Sequence, residues 1–176
     1  MADRHTVKFF QADVFTAEPF GGNPVAVVPD ADGLSDDQLQ QIAREMNLSE
    51  TVFVFPPTDP AAVVRLRIFT PSQEIPFAGH PVLGTFFILA ELGLITVKEP
   101  VTRVMQECNI GLFAVELYAL KGKVERIVMT QPKPEFLGRW RRQTISIRWR
   151  WRWDSRNLSL PTRSGRSRWY PPVCPS

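Results

Sequence analysis

The chain has two histidines, and only His80 stands where a side chain can meet a ligand. His5 lies at the very start and is a poor candidate. His80 sits in Ala78-Gly79-His80-Pro81, directly ahead of an apolar run ending at Leu92. Pro81 suits the first position of a helix, which puts the cap at Gly79 or His80. Free N–H groups and the positive dipole end at such a terminus favour an anion such as a carboxylate, and Gly79 lets the backbone approach it. Read on residues alone, His80 either takes part in chemistry or merely caps the helix. Glu50 is the second candidate. It follows a helical stretch and precedes the apolar strand Thr51 to Phe55, so its carboxylate is partly desolvated, which suits proton exchange. The blander alternative, an exposed glutamate at a strand start, is the commoner case. Glu74 is a weaker candidate for the same role. Asn23, in a Gly-rich loop before Pro24, offers an amide to a substrate polar group, although such an asparagine is often only a turn residue. Asp13 has less support. Cys108 as a nucleophile needs a base, and nothing in the sequence brings His80 to it. No Gly-rich phosphate loop opens a helix, and no two histidines stand at metal spacing, so neither a nucleotide cofactor nor a metal is expected.

The elements that position these residues follow from periodicity. Residues 7–15 and 24–28 read as strands joined by a Pro/Gly loop, 16–23. Ser35 caps a helix, with Gln38 completing a capping box and Leu39, Ile42, Ala43 and Met46 on one face. Asn47 ends it. Residues 51–55 and 63–69 are strands; in the second, Val64, Leu66 and Ile68 alternate with Arg65 and Arg67. The run after His80 is apolar almost all round and too short to span a bilayer, so it reads as a buried helix. Residues 101–107, 112–120 and 124–130 complete about seven strands. A sheet curled around a central helix is the way to bury such a helix.

The bulk numbers fit one globular domain of 176 residues, and no apolar stretch reaches membrane-span length. The start lacks a signal-peptide pattern, and two unpaired cysteines suit a reduced, cytoplasmic compartment. The net charge of +3 conceals a partition. Residues 139–176 hold ten Arg, no Lys, one acid and all five Trp, a balance of +9. Residues 1–138 hold eleven bases, 17 acids and all five Lys, a balance of −6. A single evolved domain rarely divides its residue types in this way.

Three stretches carry a resemblance: DVFTAEPFGGNPVAVV (13–28), MNLSETVFV (46–54) and RIFTPSQEIPFAGHPVLGT (67–85). In this order and spacing the chain resembles the phenazine-biosynthesis PhzF-like family, relatives of diaminopimelate epimerase, over about residues 7–138. The resemblance implies an α+β fold, a diaminopimelate-epimerase-like curved sheet or barrel wrapped around a central buried helix. It implies a cofactor-free isomerase that moves a proton within a small carboxylate-bearing substrate, and homodimeric relatives with two similar domains and a cleft between them. The family pattern places the proton-shuttling acid/base on Glu50, substrate orientation on His80, and a substrate carboxylate or carbonyl oxygen at Gly79 and the helix N-terminus behind it. Asn23 stands beside them as a substrate-binding candidate. The epimerase relatives use two cysteines; Cys108 lies outside the motifs, so two-thiol racemisation is disfavoured.

The expected organisation is a PhzF-like domain over 1–130, a linker over 131–138, and an aberrant, disordered Arg/Trp-rich tail over 139–176. The second domain of the family is not recognisable in that tail, so the chain is expected to be truncated and impaired. The alternatives are an inactive folded fragment, or a nucleic-acid-binding protein in which tail Arg contacts phosphate and tail Trp stacks on bases, although the tail has no recognised RNA motif. The residue partition reads as translation in a shifted frame from about codon 139. Sequencing the coding DNA tests this: one of the other two frames is expected to restore domain-like sequence downstream, and failure in both sinks the idea.

Overall fold

Alternation builds the sheet, and the side each residue faces follows from it. The computed structural model describes residues 6–132. His5, the tail 139–176 with its nucleic-acid reading, and most of the linker lie outside the described residues. In chain order the elements are β1 (Phe10–Val14), β2 (Asn23–Val28), α1 (Asp36–Met46), β3 (Glu50–Phe55), β4 (Val64–Phe69), β5 (Glu74–Ile75), α2 (Gly79–Glu91), β6 (Val101–Cys108), β7 (Gly111–Leu120) and β8 (Lys123–Met129). The strands form one mixed sheet in the order β1-β2-β3-β4-β6-β7-β8, with β5 added on β4. β2 with β3 and β4 with β6 run parallel, and each parallel step carries a helix in its crossover. All other pairs are antiparallel. Strand β5 is the one addition to the expected set. Its two residues lie between Pro71 and Pro76 and are too few to display alternation.

The two faces of the sheet hold separate cores. Val25, Val27, Val52, Val54, Leu66 and Ile68 pack with α2 on the inner face. Val28, Phe53 and Phe69 pack with Leu39 and Ala43 of α1 on the outer face. Helix α1 starts as the sequence requires: Gln38 N–H donates to Ser35 Oγ at 3.3 Å, and Ser35 N–H donates to the Gln38 side chain at 2.8 Å. It ends at Asn47 in the left-handed region, φ 51°.

Helix α2 begins earlier than expected. Its N-cap is Ala78, which makes Gly79 and His80 the first two helical residues and puts Pro81 third. Pro81 is still accommodated, because the first-turn amides have no partner within the helix. The helix is also not enclosed on every side. Phe87 is 42% exposed, because β1 and β8 are the two unpaired edges of the sheet. The gap between them is a groove of about 480 Å³ with Leu83, Phe87 and Ile88 on its floor.

Gly84 sets how closely α2 approaches the sheet. A Cβ built there would stand 2.5 Å from Val25 Cγ1 and 3.0 Å from Val14 Cγ2. Val25 is fully buried in the inner core and cannot withdraw cheaply, and Val14 packs against that core. The sole buried hydroxyl of the helix, on Thr85, donates to Pro81 O at 2.7 Å and so needs no other partner. Among the described residues no helix is long and apolar enough to cross a membrane. Gly84→Val is expected to lower stability by about 1–3 kcal/mol through overpacking, outweighing a helix-propensity gain below about 1 kcal/mol. Urea unfolding checks this, and an unchanged midpoint would refute the close packing.

Candidate active site

The loop from Phe15 to Gly22 exists to turn the chain back into β2 with Asn23 at its start. Gly22 has φ 66°, and a Cβ there would stand 2.1 Å from Val14 O, so only glycine fits. Asp13 fastens the loop by accepting the Phe20 N–H at 2.9 Å. Thr16 adds a bond in each direction with the Glu18 backbone, both at 3.0 Å. The parallel register of β2 and β3 then pairs Val25 with Glu50, which sets Asn23 next to the residues just before β3. Glu50 shares its strand face with Val52 and Val54, the face packed on α2. The first turn of α2 brings His80 to the same place.

The result is a short polar chain. Ser49 Oγ–H donates to Asn23 Oδ1 at 3.3 Å, with Pro24 O a longer alternative at 3.5 Å. Asn23 Nδ2 stands 3.1 Å from His80 Nδ1. His80 Nε2 stands 3.4 Å from Glu50 Oε2, with side chains only 11% and 19% exposed. That distance suits an ion pair, yet the approach is not aligned for a hydrogen bond. Both atoms are buried and have no hydrogen-bond partner among the described residues. His80 does not cap the helix: the N-cap Ala78 receives no side-chain bond, and the first turn carries no acidic residue. Among the described residues no acceptor is bonded to the N–H groups of Ala78, Gly79 and His80, which are left to a ligand or to water. Gln131, just after β8, reaches the same spot; its Nε2 lies 3.1 Å from where a Gly79 Cβ would be.

Glu50, His80, Gly79 and Asn23 thus converge, whereas the other candidates do not. Asp13 serves the loop. Cys108 is buried with its thiol directed to Gly111 O at 3.5 Å, and burial pushes the thiol up. Glu74 is occupied by Arg67, whose Nε and Nη2 reach its two oxygens at 2.9 and 2.6 Å. Asn109 Nδ2 adds a bond at 2.8 Å, and Arg67 Nη1 reaches Asp36 at 2.6 Å. The guanidinium, aided by Asn109, holds the Glu74 carboxyl below the usual carboxylate range. Arg67 in turn is pushed up, chiefly by Glu74. This cluster ties α1, β4, β5 and the β6–β7 turn together, so its role is structural. Sequence reading misses Ser49, Gln131 and the Arg67 cluster. Ser49 lies inside a recognised stretch, but only the β2–β3 register reveals its partner.

Comparisons with known proteins agree with this fold. The sequence profile of the PhzC-PhzF family, described as phenazine biosynthesis-like protein, matches residues 12–148, running ten residues past the compositional boundary at Gly138. An uncharacterized isomerase of Pasteurella multocida is 61% identical over 77 residues, covering 44% of this chain and 27% of that protein. The trans-2,3-dihydro-3-hydroxyanthranilate isomerase of Pseudomonas aeruginosa is 45% identical over 127 residues, covering 72% of this chain and 43% of that protein. The chain therefore spans less than half the length of these relatives. The crystal structure of the Bacillus anthracis phenazine biosynthesis protein of the PhzF family superposes with a TM-score of 0.61 at 34% identity, covering 67% of this chain and 38% of that one.

The depressed Glu74 carboxyl fixes a pH dependence. Its contribution to stability is present above the unfolded-state value of about 4.3 and fades as pH falls through the lower folded-state value. Glu74→Gln is expected to be less stable than the parent near neutrality by on the order of 1 kcal/mol, and to converge with it only once pH has fallen through the lower folded-state value. Denaturant titrations across that range check it; a constant difference at all pH would refute the ion pair.

Proposed function

Because the chain belongs to the PhzC-PhzF family, we propose that it carries the acid/base half of an isomerase site and moves a proton within a small carboxylate-bearing substrate without a cofactor. One observation supports this most: two buried polar atoms, Glu50 Oε2 and His80 Nε2, converge beside an uncapped helix N-terminus. A partner-free carboxylate next to unused N–H donors suits a substrate that brings an acidic C–H and an anionic group together.

In this reading the substrate carboxylate or carbonyl oxygen binds at the N–H groups of Ala78, Gly79 and His80, where the helix dipole favours negative charge. The same donors hold the charge that develops when the adjacent carbon loses its proton. Glu50 accepts that proton as carboxylate, becomes a carboxylic acid, and returns it to a second carbon, so no net proton is gained or lost. His80 orients the substrate and Glu50 from the side. Gln131 closes the approach next to Gly79. The substrate class is taken from the named relative: a dihydro-hydroxyanthranilate or a close analogue. The family resemblance adds a second domain facing this site and a homodimer, and the two unpaired cysteines support a reduced, cytoplasmic setting. The Arg/Trp partition supports reading residues 139–176 as foreign to that second domain, which leaves the activity of this chain impaired.

The test follows proton movement directly. The purified chain is incubated with trans-2,3-dihydro-3-hydroxyanthranilate in D2O, and deuterium incorporation is read by NMR. Slow exchange is expected from the parent, falling a further ~100-fold or more in Glu50→Gln, the scale of a lost general acid/base. Equal exchange in the variant removes Glu50 from the role, and no exchange in the parent refutes the activity for this chain.

A further inference from the structure

The chain Ser49–Asn23–His80–Glu50 has a direction, and the direction decides which nitrogen of His80 holds the proton. A neutral imidazole has one N–H donor and one acceptor, and an amide likewise has a donor end and an acceptor end. Two arrangements can be drawn. In the first, the Ser49 hydroxyl donates to Asn23 Oδ1, Asn23 Nδ2–H donates to His80 Nδ1, and Nε2 carries the hydrogen that faces Glu50. In the second, the amide is reversed: His80 Nδ1–H donates to the oxygen, the NH2 donates to Ser49, and Ser49 turns to Pro24 O.

One distance favours the first. The Ser49 Oγ contact at 3.3 Å is made in both, by the hydroxyl donating to the amide oxygen or by the amide NH2 donating to the hydroxyl, so it does not choose between them. At the other end, His80 Nε2 is 3.4 Å from Glu50 Oε2. In the reversed arrangement a nitrogen lone pair would face a carboxylate oxygen in a buried setting, a repulsion without compensation. In the first, the positive N–H edge of the ring lies beside that oxygen, an attraction that does not require hydrogen-bond alignment. We infer that Asn23 is a positioning residue whose Nδ2–H, 3.1 Å from His80 Nδ1, holds His80 as the neutral Nε2–H tautomer, with its N–H edge toward Glu50 and the substrate. Asn23 then acts through His80, and its amide is not free for substrate. This deepens the reading of Glu50 and His80 given above, but it is measured without substrate, so a failure of turnover and a failure of the tautomer are separate results.

The experiment is long-range proton–nitrogen NMR of the full chain with ¹⁵N-labelled histidine, at about pH 8.5, some two units above the ordinary imidazole value. The chain has two imidazoles, and His5→Gln assigns them. For His80 the expected pattern is a pyridine-like Nδ1 and a pyrrole-like Nε2, without the tautomer averaging of a free imidazole. Asn23→Asp, nearly isosteric, puts an obligate acceptor at Nδ1 and is expected to convert that nitrogen to a pyrrole-like shift. Asn23→Ala removes the amide donor and is expected to move Nδ1 to an averaged position. A pyrrole-like Nδ1 in the parent overturns the proposal, as does an Asn23→Asp spectrum identical to the parent in a folded protein. Should Asn23→Asp not fold, Asn23→Ala decides, and an unmoved Nδ1 there removes Asn23 from the role.

Discussion

The seating of α2 on β1 and β2 through Gly84 is the constraint on which the rest depends. With no side chain at that position, the helix comes close enough for Val14 and Val25 to fill the space a Cβ would take. The helix axis is thereby fixed relative to β2, and β2 is fixed to β3 by the parallel register. His80 is carried by the first, Asn23 by the second and Glu50 by the third. A shift of the helix by the width of one methyl group would separate His80 from both partners. Core packing and site geometry are therefore one requirement, and the apolar run after His80 serves both.

The same fold treats two carboxylates in opposite ways. Glu74 meets a bidentate guanidinium and an asparagine amide, so its charge is satisfied and its proton is lost well before neutrality. Glu50 meets one imidazole edge in imperfect alignment and nothing else among the described residues. The difference comes from neighbours on the outer and inner faces of the sheet. Arg67 alternates with Leu66 and Ile68 and so points away from α2, toward α1 and Glu74. Glu50 alternates with Thr51 and so points inward, where the neighbours are apolar and the one polar element is the helix start. Strand parity, rather than any local motif, makes one carboxylate structural and the other available.

Much of the fold was legible because it rests on local chemistry. Ser35 and Gln38 announce a helix start, Asn47 its end, and the alternation around Arg65 and Arg67 a half-buried strand; each is present as read. The misreadings have physical causes. Pro81 pointed to a helix start two residues too late, since proline is tolerated anywhere in the first turn. Composition alone made α2 look enclosed, but enclosure depends on whether the sheet closes, and the β1 and β8 edges are set by long-range pairing. Glu50 and His80 could be picked out one by one. Their approach, and the place of Ser49, come from a crossover between parallel strands that no stretch of sequence displays.

Lack of a partner alone would not mark the site. Thr51 Oγ1 and Gln106 Oε1 are also buried without partners among the described residues. A lone unsatisfied group of this kind costs about 1–3 kcal/mol and points to nothing in particular. Glu50 and His80 differ because their unsatisfied atoms face each other, beside a helix whose first turn has neither an acidic residue nor a side-chain cap. A fold that left three kinds of polar group idle at one point would be destabilised by all of them at once. A ligand with an anionic group and a removable proton would satisfy them together. Because the donors are held by strand register and helix packing, little reorganisation is needed when charge develops, which is the condition under which fixed dipoles stabilise a transition state most.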